Sequence, residues 1–143
     1  MSDRYFVETN ILMYAHDTGA GAKHERAKVL VESLWHDRTG VVSTQVLQEL
    51  CVNLRRKAGR PVDLRTARGI VADYLAWDVV TNTGESILEA LELEERYHIS
   101  FWDALIVQAA EASGAAILYS EDLSDGQTYR GVRVVNPLNA EQS

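Results

Sequence analysis

The chain of 143 residues has little of what would place it outside the ordinary globular class. It carries one cysteine and two prolines, and no apolar run approaches the roughly 18 residues a bilayer-spanning helix needs. A single thiol, Cys51, excludes an internal disulfide framework; set among Val46, Leu47, Leu50 and Leu54, it reads as a buried, inert side chain. The scarcity of proline and the absence of low-complexity stretches or internal repeats argue against a long linker. The opening "MSDRYFVETN" lacks the basic-then-apolar pattern of a secretory signal, so the expectation is a cytoplasmic protein without a membrane segment. HExxH, CxxC, GxGxxG, GxxxxGK[ST] and GxSxG are all missing. Their absence leaves no zinc, dinucleotide, P-loop or acyl-transfer site to argue from.

What is present is charge of one sign in excess. The net charge is −7, and the apolar share of 46% suits a single domain over residues 1–143 with a real core. That balance argues against a histone-like electrostatic binder of nucleic acid. The charge is unevenly spread, however. Residues 55–68, "RRKAGRPVDLRTAR", hold six of the fourteen bases and one acid, whereas residues 85–95 hold five glutamates and no base.

Short apolar stretches alternate with longer helical patterns. "RYFVE" (4–8), "GVVS" (40–43), "DVVT" (78–81), "AAILYS" (115–120) and "GVRVVNP" (131–137) read as strands, the last closing the sheet. Between them, helical spacing runs through "TNILMYAHD" with Thr9 or Asn10 as cap, and through 22–37. It continues from Ser43 or Thr44 to about Lys57, over 64–77 behind an Asp63 cap, and over 84–98 and 100–114. The helix over 100–114 is apolar nearly all round and so is expected at the centre. The pattern predicts an α/β fold, a three-layer α/β/α sandwich on a mostly parallel sheet.

In such a sheet, ligands bind beyond the carboxyl ends of the strands. Two strands end on acids there: "YFV" on Glu8, and "AILYS" on Glu121 and Asp122. Asp103 and Glu49 lie within helices on or beside apolar faces. An isolated buried carboxylate is costly, and one cation can serve several at once. Four carboxylates without a matching His or Cys set suggest a hard divalent ion, Mg²⁺ or Mn²⁺. Each acid also has a plainer reading. Asp103 stands at capping-box spacing from Ser100, Glu49 could be solvated, and Asp122 and Asp125 could be turn formers. Phe101 and Trp102 suit core or cleft wall better than a base-stacking platform.

Taken together, "YFVETNILMYA", "STQVLQEL", "SFWDALIVQAA", "ILYSEDLSDGQ" and "GVRVVNP" make the chain resemble the PIN-domain ribonucleases, most closely the VapC toxins of bacterial toxin–antitoxin pairs. The resemblance implies a metal-dependent endoribonuclease with Glu8, Glu49, Asp103 and Asp122 as the acidic set around Mg²⁺ or Mn²⁺. Asn10 and Ser120 match the small polar residues that accompany the first and last acids. It further implies an RNA substrate, a homodimer, and a VapB-like antitoxin partner. Ile11, Leu12, Leu30 and Leu34 could line the antitoxin's groove or be plain core. The strip around Arg55, Arg56, Lys57 and Arg60 could grip RNA or be solvated surface.

One departure is plain. The family's first motif is normally Asp-Thr-Asn, and here it is Glu8-Thr9-Asn10. The extra methylene moves the carboxylate by about 1.5 Å, and Mg²⁺ tolerates such shifts poorly. Glu8 could be a working ligand, a weakening one, or an introduced change that disarms the site. It keeps a second reading open, a non-catalytic PIN-like protein that binds RNA or a partner. A receiver- or phosphatase-like domain also places acids at strand ends, but the first motif offers it no aspartate to phosphorylate.

Overall fold

In the computed structural model, which describes residues 3–139, six strands form one sheet in the order β3-β2-β1-β4-β6-β5. The chain runs β1 (Tyr5–Val7), α1 (Thr9–His16), α2 (Ala22–Asp37), β2 (Gly40–Ser43), α3 (Thr44–Arg56), α4 (Leu64–Tyr74) and β3 (Asp78–Val80). It continues through α5 (Gly84–Tyr97), α6 (Phe101–Ala112), β4 (Ile117–Tyr119), β5 (Thr128–Tyr129) and β6 (Val132–Val135). Every pairing is parallel except β5 with β6. Parallel neighbours need crossovers, and right-handed crossovers in opposite directions put helices on opposite faces. Thus α1 to α4 pack among themselves on one side, while α5 packs on α6 and α6 lies against β2, β4 and β6 on the other. The α/β/α sandwich expected from the sequence is the observed fold.

The core is a continuous cluster in which Phe6, Val7, Val41, Val42, Leu118 and Val134 from the strands are fully buried. Ile11, Leu12, Leu50, Leu54, Val107 and Ala110 meet them from the helices, also without exposure. Helix α6 buries Ala104 through Ala110 without a break, which is the central position its all-round apolar sequence called for. Side-chain caps begin four helices: Ser43 accepts from Val46, Asp63 from Thr66, Thr83 from Ser86, and Ser100 from Asp103.

Three expectations need correction, and one open choice is decided. The sheet does not close on 131–137, because Thr128–Tyr129 adds a two-residue antiparallel strand outside β6. Too short for a period-2 pattern, that strand carries no readable signal. Neither Thr9 nor Asn10 caps α1: the cap position is Glu8, and no side chain there bonds the helix. Cys51 is half-buried, with its carbonyl taking the Arg55 Nε–H at 3.1 Å. Finally, Ile11, Leu12 and Leu34 are core, while Leu30 is half-buried and lines a groove with the exposed Val29.

Candidate active site

The strand order itself marks a place. From β1 the chain moves outward to β2 and β3, then returns across β1 to lay down β4 on its other side, making β1/β4 the topological switch point. Glu8 follows β1 and Ser120 follows β4 at that point. In-register pairing of Val7 with Tyr119 brings the two ends together, and the Glu8 N–H donates to the Tyr119 carbonyl at 3.0 Å.

The three consecutive residues Glu8, Thr9 and Asn10 each engage a different part of the cleft. Glu8 Oε2 accepts a hydrogen bond from Ser120 Oγ, and Ser120 Oγ accepts in turn from the Leu123 N–H at 3.1 Å. Thr9 Oγ1 donates to Glu49 Oε1 at 2.7 Å. Asn10 Nδ2 donates to Asp122 Oδ2 at 3.1 Å. The turn from β1 into α1 makes this divergence possible. Glu8 has extended backbone (φ −75°, ψ 160°) while Thr9 and Asn10 are already helical, so the three side chains fan out. Because Glu8 does no capping, its carboxylate is left for the cleft.

Electrostatically the acids belong together. Burial raises the Glu8 carboxyl to about 7; the Ser120 bond opposes the shift, and the charges of Asp122, Asp103 and Glu49 each add to it. Burial also raises Asp103, countered by its Ser100 bond and reinforced by Asp122. All four sequence-derived acids therefore stand at one end of the sheet, from β1, α3, α6 and the loop after β4. Glu8 is buried, Glu49 and Asp103 are half-buried, and Asp122 is exposed.

Among the described residues no three Asp, Glu, His or Cys side chains are grouped as they would be around a metal ion. The donor chemistry nonetheless suits a hard cation, since every group is a carboxylate and the charge of Asp122 adds to the rise of both Glu8 and Asp103. Cavities of about 560 Å³, by Arg4, Trp35, Arg38 and Trp77, and about 600 Å³, by Val29, Leu30, Tyr119 and Val135, are lined by none of the four acids.

The basic strip is not part of this cluster. Arg56, Lys57, Arg60, Arg65 and Arg68 are exposed, and Arg55 is half-buried on its own helix. It is nonetheless fastened to α1. Asp17, only 3% exposed just past that helix, accepts from the backbone N–H groups of Gly59 (2.7 Å), Arg60 (2.9 Å) and Gly19 (2.9 Å). Phe101 is half-buried, and Trp102 stands out at 63% exposure instead of lining the core.

Sequence reading missed a second layer. Tyr14 lies one helical turn beyond Asn10, and its Oη donates to Glu121 Oε1 at 2.7 Å. Lys23 Nζ holds the other oxygen, Oε2, at 2.6 Å. The i, i+4 spacing of Asn10 and Tyr14 was the available signal, but nothing in the sequence says which loop they face.

The family model of the PIN domain matches residues 5–124. The chain belongs to the PIN domain family. Among solved structures, this PIN domain is similar to Mycobacterium tuberculosis VapC20, described as a sarcin–ricin loop cleaving toxin. Identity is 26% over 82% of this chain and 89% of that one, with a TM-score of 0.65. A toxin–antitoxin complex from Klebsiella pneumoniae matches at 18% identity over 93% and 97%, TM-score 0.68. VapBC2 from Rickettsia felis, bound to a DNA fragment from its promoter, matches at 22% over 82% and 87%, TM-score 0.58. The PIN fold and the likeness to VapC toxins drawn from the sequence thus both hold. A comparison with curated protein sequences returns no match.

Proposed function

We propose that this PIN domain is a metal-dependent endoribonuclease, the toxin of a toxin–antitoxin pair. The observation that carries the reading is the convergence of Glu8, Glu49, Asp103 and Asp122, from four separate elements, on the carboxyl end of the sheet at its switch point, with Glu8 sensing the other three charges. Bound there, Mg²⁺ or Mn²⁺ would supply a water of lowered pKa and neutralise charge on the phosphate. Glu8, Asp103 and Asp122, with Glu49, would hold it. Ser120, Thr9 and Asn10 fix three of the carboxylates by hydrogen bonds to single oxygens, leaving the second oxygen of each for the ion.

The expected partners follow from the same reading. A VapB-like antitoxin would use the apolar groove of Val29, Leu30, Tyr119, Val135 and Pro137, which begins one residue before Ser120. A second copy would cover the exposed Ile87, Leu88 and Leu91 of α5. Arg55, Arg56, Lys57 and Arg60 would offer the RNA backbone a cationic rail.

Cleavage of a bulk RNA pool in Mg²⁺ or Mn²⁺, comparing the chain with Glu8→Asp and Asp103→Ala, tests the reading. Cutting by the chain or by Glu8→Asp, abolished by Asp103→Ala, supports it. One observation favours a second reading, a non-catalytic RNA- or partner-binding protein: Glu8, the acid longer than its family counterpart, is the one spent on Ser120. Absence of cutting by every variant, with RNA binding retained, moves the assignment there.

A further inference from the structure

We infer that Lys23 contacts a backbone phosphate of the RNA at the mouth of the acidic cleft, and that Glu121 and Tyr14 are the positioning residues that hold it there. The inference rests on the ribonuclease reading and adds to it a residue outside the acidic set.

The argument begins with charge. Glu8, Glu49, Asp103, Asp122 and Glu121 place five carboxylates at one end of the sheet, and an approaching phosphodiester meets that field before it meets any metal. Among the described residues, Lys23 is the only base ion-paired to any of these acids. It sits near the start of α2, half exposed, with Nζ 2.6 Å from Glu121 Oε2 and 5.0 Å from the centre of the Tyr14 ring.

Next comes geometry. Glu121 is adjacent in sequence to Asp122, and the two are held by side chains one turn apart on α1: Asn10 on Asp122 at 3.1 Å, Tyr14 on Glu121 at 2.7 Å. The Glu121 carboxylate is thus fixed through both oxygens, by a hydroxyl and by an ammonium. Such a two-point hold on one carboxylate fixes where the lysine ends up. Hydrogen bonding to Glu121 keeps Lys23 firmly cationic, and burial together with the same carboxylate keeps Tyr14 a phenol that can donate. An ammonium has three N–H donors; one serves Glu121, and the exposed side of the group is left to donate to a phosphate without breaking that pair. Lysine side chains ordinarily lose considerable rotamer entropy when they bind. Here the ion pair and the Tyr14 ring have restricted it beforehand.

The test is anisotropy of a short labelled single-stranded RNA of random sequence, titrated with the 143-residue chain in EDTA across a range of salt. Lys23→Met should weaken binding about five- to tenfold and flatten the plot of log K against log salt by about 0.7, the loss of one single-strand phosphate contact. Lys23→Arg should restore both. Tyr14→Phe, which changes no charge, should weaken binding less, with the lysine present but its carboxylate held at one point only. Lys28→Met, on the same helix and exposed, should leave the slope unchanged. A lowered melting temperature for Lys23→Met with RNA affinity and slope intact would mean the pair is only structural, and overturns the inference. An equal effect from Lys28→Met would also overturn it, by showing a general charge effect. If neither the chain nor Glu8→Asp cuts RNA in the separate assay with Mg²⁺ or Mn²⁺, the ribonuclease reading itself fails; if the chain binds RNA in EDTA and Lys23→Met matches it, only the role of Lys23 fails.

Discussion

Ser120 donates a hydrogen bond to Glu8 across the junction of β1 and β4, so the buried acid that follows β1 is held by the residue that follows the partner strand. Burial and three like charges nevertheless leave the Glu8 carboxyl at about 7, against 4.5 for the free side chain. Between those values the unfolded chain has given up the proton and the folded chain has kept it. Stability therefore falls as pH rises through that window, and the loss is complete above the folded value. Glu8→Gln removes the titration while keeping an oxygen for Ser120. The variant should be more stable than the parent at pH 8, by at most about 3 kcal/mol, with the gap closing below pH 4.5. Urea melts at several pH values measure this; a gap that does not depend on pH would refute the account.

Divalent metal should act in the same direction by another route. If the four acids share an ion, Mg²⁺ or Mn²⁺ binds the folded chain alone, stabilises it by about 1.4 kcal/mol at ten times the dissociation constant and so raises the melting temperature. The gain should be larger at pH 8 than at pH 5.5, where Glu8 carries its proton, and should shrink in Asp103→Asn and Asp122→Asn. A melting temperature unmoved by millimolar metal at pH 8 would sink the shared-ion model.

How much of this was legible in the sequence differs from element to element. Helix α2 was readable to its last residue, because both ends and the apolar spacing of Ala27, Val31 and Leu34 agree. The strand-end position of Glu8 was readable because a charge after "YFV" has no place in a buried strand. Strand β5 was hidden because two residues have no period. Trp102 reads as core on a helix that is otherwise apolar, yet it projects outward. The Tyr14–Glu121–Lys23 set was hidden for a deeper reason. Its members are up to 107 residues apart, and only the return of β4 to the side of β1 makes them neighbours. Local pattern reports which residues lie on one face, whereas the pairing of faces is a property of topology.

Asp17 should prove as important for stability as any acid of the cleft is for chemistry. Burial pushes its carboxyl up, but the backbone N–H groups of Arg60, Gly59 and Gly19 outweigh that and hold it below the usual range. Around it Gly19 and Gly59 approach backbone to backbone, and a Cβ on Gly19 would lie 2.8 Å from the Gly59 carbonyl carbon. Asp17→Ala would leave three donors without a partner, at a cost of about 3 kcal/mol. Gly19→Ala should destabilise as well, since main chain cannot move aside as a flexible side chain does. Thermal melts check both, and a parent-like Asp17→Ala would show that the turn is held by something else.

The basic strip makes a separable prediction. Charge reversal at Arg56 and Arg60, both exposed, should leave the fold intact, weaken RNA binding and lower its salt dependence by about 1.4, two single-strand contacts. Arg60→Glu alone leaves the bond to Asp17 in place, because that bond uses the backbone N–H. Any loss in this variant therefore comes from the side chain. Unchanged binding and salt slope would make the strip ordinary solvated surface.

Asn10 allows the sharpest separation of orientation from charge. Its amide holds one oxygen of the exposed Asp122, which has no burial to restrain it. Asn10→Ala removes no charge and opens no core cavity, so the melting temperature should stay within a degree or two. Freed, Asp122 would explore rotamers that face solvent, and loss of such orienting contacts typically costs 10- to 100-fold in metal affinity or activity. Asn10→Asp, isosteric but anionic, should do worse, since it sets a carboxylate against a carboxylate. Mn²⁺ titration calorimetry alongside RNA cleavage distinguishes the outcomes. If Asn10→Ala binds metal and cuts RNA as the parent does, Asp122 is held by its own loop and the α1 contact is incidental.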